Sequence, residues 1–375
     1  MMTLESCRQE IDSIDDTLVQ LLDRRLAIAE QVARIKEETG RSTRDPNRER
    51  QILERLGSKI EDPAHRDRVL RILRTVLEAS RSLQDSRRNH FQPVRPEAGR
   101  PVRAGYAGIP GSFSESALIR YFGEPEAPYR NFPGFPAVCD AVLSGEVDYG
   151  ILPVENTTTG AIKEVYDLIR EKELYITGEI CLPVIHNLIG LPGADVSGLR
   201  EVCSHPQGLE QCSDYLAGLK QVRLIPMKNT AYSVRHVAEH QDSGLAAIGG
   251  EQAARLYGLS ILKPAIQNST LNTTRFVVLS RSQEVREDAD STSLVLTARH
   301  AAGALHDILG CFAREEVNLF RIESRPVPDR PWEYYIYLDA EGSILNETVH
   351  RALDTVREQC PYFRFLGSYR KGTSS

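Results

Sequence analysis

The chain has 375 residues, 41% hydrophobic and 26% charged, with a net charge of −6. That length suits about two or three ordinary globular domains. The acidic balance argues against a nucleic-acid-binding protein as a whole, and no run of about 20 apolar residues exists to span a membrane. Seven scattered cysteines (Cys7, Cys139, Cys181, Cys203, Cys212, Cys311, Cys360) lack a C-x-x-C pattern. They imply reduced thiols, not a disulfide frame or a zinc site, and the charges in the opening MMTLESCRQEID imply a cytoplasmic protein without a signal peptide.

Residues 1–90 are predicted all-helical. Leu4, Cys7, Ile11, Ile14, Leu18, Leu21, Leu22, Ile28, Val32 and Ile35 keep helical spacing, with no Gly or Pro before Gly40. The resulting helix is about 35 residues, roughly 50 Å at 1.5 Å per residue. Two short helices cannot cover it, so an intertwined homodimer or higher homo-oligomer is expected. Asp45-Pro46 and Asp62-Pro63 each read as an Asp cap followed by Pro at the first helical position.

The Pro- and Arg-rich segment 86–103 reads as a linker. Residues 102–282 alternate short apolar runs such as YGILPV with amphipathic stretches such as EVYDLIREK, an α/β pattern. A charged spacer, SRSQEVREDADSTS, precedes residues 293–370, whose predicted order β-α-β-β-α-β is ferredoxin-like.

Arg25 and Lys36 are eleven residues apart, about 20° from one helical face, and Ser80 and Gln84 are four apart. By spacing alone such a set reads as a solvated charged face. The segments CRQEID, LLDRRLAIAEQVARIK, RDPNRER and ASRSLQ, in this order, closely resemble the small all-helical chorismate mutases. The resemblance implies that Arg8, Arg25 and Arg48 hold the carboxylates of chorismate, with Lys36 and Gln84 at its ether oxygen. Asp45 and Glu49 would take its hydroxyl, and Ser80 would be a further contact. Arg8 lies about 100° around the helix from Arg25; in the family its counterpart comes from the partner subunit. The rearrangement to prephenate is pericyclic, so holding the reactive conformer and placing donors where charge grows would suffice.

GYAGIPGSFSESA is G-x-x-G-x-x-G, not the dinucleotide pattern, but a Gly-rich turn with Ser112 and Ser114 at a helix start can cradle an anion. PVENTTTGAI, SHPQGLEQC, NTAYSV and NTTRFVVLSR follow. Together these resemble prephenate dehydratase, a two-lobed α/β family with its site between the lobes and a signature matched by Thr274-Arg275-Phe276. The resemblance implies that Thr274 helps the substrate hydroxyl leave as carbon dioxide departs, and that Arg275 either holds a carboxylate or braces the site. Ser112, Glu155, Asn156, Thr157, Ser204, His205, Gln207, Thr230, Asn272 and Phe276 are further candidates for the prephenate cleft. Thr157, Gly249-Gly250 and Asn229 depart from the family's commoner residues. Whether prephenate or its amino analogue arogenate is preferred stays open. HVAEH matches a zinc-protease string, but five residues match by chance and Arg235 disfavours a cation, so no metal is expected.

GALHDIL and IESRP resemble the ligand loops of the ACT regulatory domain found behind such dehydratases. Gly303, Ala304 and Leu305 with Glu323, Ser324, Arg325 and Pro326 would then help form a phenylalanine site. The whole chain resembles bifunctional chorismate mutase/prephenate dehydratases, implying feedback by phenylalanine and no cofactor. A phenylalanine-binding protein with decayed sites is opposed by the presence of all eight mutase positions and Thr274.

Overall fold

The computed structural model describes residues 3–38, 46–88, 101–219, 221–328, 330 and 332–372. The chain opens with three helices, α1 (Leu4–Glu38), α2 (Pro46–Gly57) and α3 (Pro63–Arg88). A first lobe follows: β1 (Ala104–Ala107), α4 (Phe113–Phe122), β2 (Arg130–Phe132), α5 (Phe135–Ser144), β3 (Tyr149–Asn156), β4 (Gly160–Ala161), α6 (Lys163–Glu171) and β5 (Tyr175–Pro183). The second lobe holds β6 (Asn187–Gly190), β7 (Glu201–Ser204), α7 (Pro206–Glu210), α8 (Ser213–Ala217), β8 (Arg223–Pro226), α9 (Thr230–His240), β9 (Leu245–Gly249), α10 (Glu251–Leu256) and β10 (Ser260–Lys263). Strand β11 (Thr273–Ser280) then returns to the first lobe. The last elements are β12 (Ser291–Thr297), α11 (Ala304–Arg314), β13 (Leu319–Pro326), β14 (Tyr334–Glu341), α12 (Glu347–Gln359) and β15 (Tyr362–Tyr369).

These elements form two compact units. The first contains α1–α3 with Ala298–Asn318 and Ile344–Tyr362, the stretches that carry α11 and α12. In it α1 and α2 pack on α3, α12 packs on both α11 and α3, and the first helix runs unbroken as the apolar spacing predicts. The Asp62 carboxylate accepts from the amide of Ala64 at 2.8 Å, so this cap forms as read from Asp62-Pro63. Asp45 lies outside the described residues. Along α1 the heptad-spaced Leu4, Ile11, Ile14, Leu18, Leu21, Ile28 and Ile35 are all exposed, by 46% (Leu18) to 71% (Leu4).

The second unit contains both α/β lobes and the strands β12–β15. The first lobe's sheet runs β2-β1-β3-β11-β5, with β11 antiparallel to both neighbours; the second lobe's runs β10-β6-β9-β7-β8. The chain therefore crosses between lobes twice, after Pro183 and before Thr273. Each lobe has its own core, around Tyr106, Leu118, Ile151 and Phe276 in the first and Leu188, Val202, Ala246 and Ile248 in the second. The last sheet runs β13-β14-β12-β15, which with the element order β-α-β-β-α-β is the ferredoxin-like strand arrangement expected for 293–370. The compact units nevertheless divide that segment, with α11 and α12 in the first and the strands in the second.

Specific polar contacts tie this sheet to the first lobe. Arg364 donates to the carbonyls of Ile169, Arg170 and Leu174 at 2.7–2.8 Å, satisfying groups that the end of α6 leaves open. Gly367 passes so close to β5 that an added Cβ would lie 1.9 Å from the Ile176 carbonyl oxygen. Gly367→Ala is expected to cost about 2 kcal/mol or more and to lower the Tm of this unit by roughly 5 °C. Calorimetry would check this, and an unchanged transition would contradict the close approach.

Candidate active site

In the helical unit, Arg25 on α1 donates to the Val76 carbonyl at 3.1 Å and to the Ser80 hydroxyl on α3, and Ser80 is itself buried. Two residues far apart in sequence thus meet at one point. Arg48 on α2 and Arg8 on α1 are exposed. Arg8 is seventeen residues from Arg25 along an unbroken helix, or about 25 Å, so one subunit cannot bring the two together. Lys36, Glu49 and Gln84 sit on α1, α2 and α3, but their side chains, like the whole of Asp45, lie outside the described set.

In the second unit a cavity of about 340 Å³ opens between the lobes. Strand period decides what reaches it. Alternate side chains of β11 face opposite ways, so Thr274 and Phe276 line the cavity and Arg275 does not. The amide of Asn156, on neighbouring β3, organises this wall. Its Oδ1 accepts from the backbone N–H groups of Thr158 at 2.9 Å and Thr159 at 3.2 Å, which fixes the amide orientation. Its Nδ2 then donates to Thr274 Oγ1 and to Asn272 Oδ1, both at 2.8 Å. Because Thr274 accepts from Asn156, its own proton is left to point elsewhere.

The network continues across the cleft. Gln211 Oε1 accepts from Asn272 Nδ2 at 3.2 Å and lies 2.9 Å from His186 Nε2, so Nε2 carries the histidine proton. Burial lowers the His186 pKa, keeping the ring neutral, and its Nδ1 faces no hydrogen-bond partner among the described residues. His205, Gln207 and Thr230 complete the expected wall. The His205 Nδ1 accepts from the Gln207 amide at 3.2 Å at the start of α7.

Other expected residues point elsewhere. Ser112 caps α4 through the amide of Glu115, and Glu115 accepts from the Gly111 amide, so this is a capping arrangement beside the cavity. Ser204 is buried on the Ile248 carbonyl, and Thr157 pins the start of β11 through Leu271 and Thr273. Arg275 and Glu155 share the face of the sheet away from the cavity. Arg275 donates to Glu179 at 2.7 Å, Asp339 at 2.9 Å and the Tyr369 hydroxyl at 3.2 Å, and Glu155 lies 3.8 Å away. Arg275 is thus occupied by carboxylates of its own protein on the face away from the cavity. The sequence reading missed His186, Gln211, Lys228 and Asn229, all on the cavity wall.

Of the positions expected to bind an effector, Gly303 adopts the left-handed backbone (φ 83°) that caps α11, with Ala304 and Leu305 as its first turn. Glu323–Pro326 end β13, and Arg325 there pairs with Asp167 at 2.9 Å.

A two-lobed α/β protein with a ligand-sized cleft between the lobes, in one chain with a helical module, is the class this geometry defines. The sequence matches the family profile for prephenate dehydratase over residues 104–284 and that for chorismate mutase type II over residues 7–85. It is 31% identical to the bifunctional chorismate mutase/prephenate dehydratase of Escherichia coli strain K12, over 98% of this chain and 96% of that one. Among solved structures it resembles prephenate dehydratase from Arthrobacter aurescens in complex with L-Phe, with TM-score 0.65 and 31% identity over 72% of this chain and 90% of that one. It also resembles GqqA, described as a novel type of quorum quenching acylase, with TM-score 0.66 and 26% identity over 72% of this chain and 98% of that one. The chain belongs to the bifunctional chorismate mutase/prephenate dehydratase family.

Burial pushes the Glu179 carboxyl pKa up, and Arg275 opposes that rise. A carboxyl whose folded pKa is raised binds its proton more tightly folded than unfolded, so its contribution to stability improves as pH falls. Arg275→Met would leave Glu179 without its cation and Asp339 with only Arg321, 3.7 Å away, at a cost of about 3 kcal/mol or more near neutral pH. The Tm deficit against wild type is expected to be larger at pH 8 than at pH 5.5; a deficit independent of pH would refute the buried pairing.

Proposed function

We propose that the chain converts chorismate to prephenate in its helical unit, then prephenate to phenylpyruvate, water and carbon dioxide in the interlobe cleft. In the dehydratase step the bond from the ring to the departing carboxylate breaks. Its electron pair enters the ring, the carbon–oxygen bond to the hydroxyl breaks, and the leaving oxygen takes up a proton to become water. Thr274, which accepts from Asn156, would donate to that oxygen. This hydrogen bond inside the cavity is the observation that carries the reading. Preorganised neutral donors suit the task because they need not reorient as charge develops.

In the mutase step Arg25, Arg48 and the partner subunit's arginine at position 8 would hold the substrate carboxylates, with Lys36 and Gln84 at the ether oxygen. The exposed heptad seam of α1 supports an obligate dimer, since such a stripe is the surface that helix pairing covers. Light scattering on the eluting protein is expected to give a dimer or larger; a monomer that retains mutase activity would overturn this. The β12–β15 sheet with α11 and α12 is proposed as an ACT-type module that senses phenylalanine. Its support is the strand order and the L-Phe bound to the Arthrobacter relative. Cytoplasmic localisation is part of the same proposal; no helix among the described residues is long and apolar enough to cross a membrane.

Assays with chorismate and prephenate supplied separately, with and without phenylalanine, test the whole reading. Thr274→Ala is expected to cut prephenate turnover by about a hundredfold or more while mutase activity stays near wild type, and Lys36→Ala should do the reverse. Equal loss of both activities in either variant would show the assignment to be wrong.

A further inference from the structure

Lys228 is the one charged side chain among the described residues that line the interlobe cavity, and no carboxylate lines it. The other ionic groups near the signature, Arg275 and Glu155, belong to the opposite face of the sheet. Lys228 also stands two residues before α9, an eleven-residue helix whose first turn borders the same cavity through Asn229 and Thr230. The positive end of that helix adds to the ammonium. One corner of the cleft is therefore cationic, while the wall built from Asn156, Asn272 and Thr274 is neutral.

Resting on the dehydratase reading above, we propose that Lys228 makes this cleft selective for the keto diacid prephenate over its amino analogue. The substrate carries two carboxylates with different fates. One leaves as carbon dioxide, and a cation on it would stabilise the charge that must disappear, raising the barrier. The other, on the three-carbon side chain, persists. Lys228 and the α9 terminus hold the persistent one, and the departing one faces the neutral, partly apolar remainder of the wall, which includes Pro153, Ile162 and Val184. The carbon beside the persistent carboxylate bears a carbonyl in prephenate and an ammonium in the amino analogue. That ammonium would lie next to Lys228, and like-charge repulsion at such range in a partly wet cleft is worth about tenfold.

The test is kcat/KM on prephenate and on arogenate for the full-length wild type, Lys228→Arg, Lys228→Met and Lys228→Glu, with chorismate turnover and the unfolding midpoint as folding controls. Wild type is expected to prefer prephenate. Lys228→Met should raise KM for prephenate about tenfold with kcat little changed, lower the preference by a similar factor, and flatten the salt dependence of KM. Lys228→Glu should lower the preference further, and Lys228→Arg should keep it. Folded Met and Glu variants with unchanged preference, or an Arg variant as defective as Met, would overturn the proposal. So would a wild type that prefers arogenate, which leaves the dehydratase reading standing; a wild type that dehydrates neither acid removes both.

Discussion

The buried guanidinium of Arg275 is the constraint around which the second unit is arranged. Taking an ion of this size out of water costs several kcal/mol even after relaxation, and only close, well-oriented anions offset that. Here the offset comes from two sides: Glu179 on β5 and Asp339 and Tyr369 on the β12–β15 sheet. Ser293 Oγ in turn donates to Asp339 Oδ1 at 2.5 Å and sits 2.6 Å from the Tyr369 hydroxyl. The planar five-donor fork of arginine can serve several acceptors in one plane, which a lysine could not. One residue away along the same strand, Thr274 faces the cleft. Rigid anchoring on one side of β11 therefore fixes a hydroxyl on the other, and the sheet behind the lobe is held to the strand that carries Thr274.

Apart from Lys228, the cleft is lined by uncharged groups and histidines. Asn156 is oriented by two backbone donors, so it presents its amide N–H groups to Thr274 and Asn272 without a competing alternative. From Asn272 the chain of hydrogen bonds runs to Gln211 and His186 on the second lobe. Each member fixes the polarity of the next, which is how a side-chain network rigidifies a site. Because the chain spans both lobes, the register of one lobe against the other and the direction of the Thr274 proton are set together.

Much of this was legible in sequence, and what was not has a physical reason. Helical periodicity gave α1 as one unbroken helix, and Asp62-Pro63 gave the start of α3, because both signals are local. The order of elements in 293–370 was equally local, whereas its division between two compact units depends on long-range packing, as in the contact of α12 with α3. The motif marks Thr274 and Arg275, but adjacent strand residues face opposite ways, and the motif does not say which of the two faces the cleft. Which face is the cleft depends on the folded sheet, so the motif leaves Arg275 open between holding a carboxylate and bracing the site, and Glu155 reads as a cleft candidate. Ser112, Thr157 and Ser204 were chosen as hydroxyls in the right motifs, but a hydroxyl serves a cap or a strand start as readily as a ligand. His186, Gln211 and Lys228 escaped notice because each sits in a different connection between elements, and only the folded chain collects them around one cavity. A lone Lys or His in sequence carries no such information.

The resemblance to a chain described as an acylase bears on where function resides. Two proteins can share this two-lobed scaffold while their descriptions name unrelated reactions, since a fold supplies a cleft and the lining side chains supply the chemistry. For this chain the lining is specific: a hydroxyl that accepts from Asn156, an amide network that holds it, and one cationic corner. Those features fit a reaction in which one carboxylate must be held while another loses its charge and a hydroxyl departs. In the proposed mutase site the balance is reversed, with cations concentrated where both carboxylates persist and where negative charge grows on an ether oxygen. The two sites thus differ in the direction expected from electrostatics alone: fixed charge belongs where substrate charge persists or increases, and neutral surroundings where it vanishes.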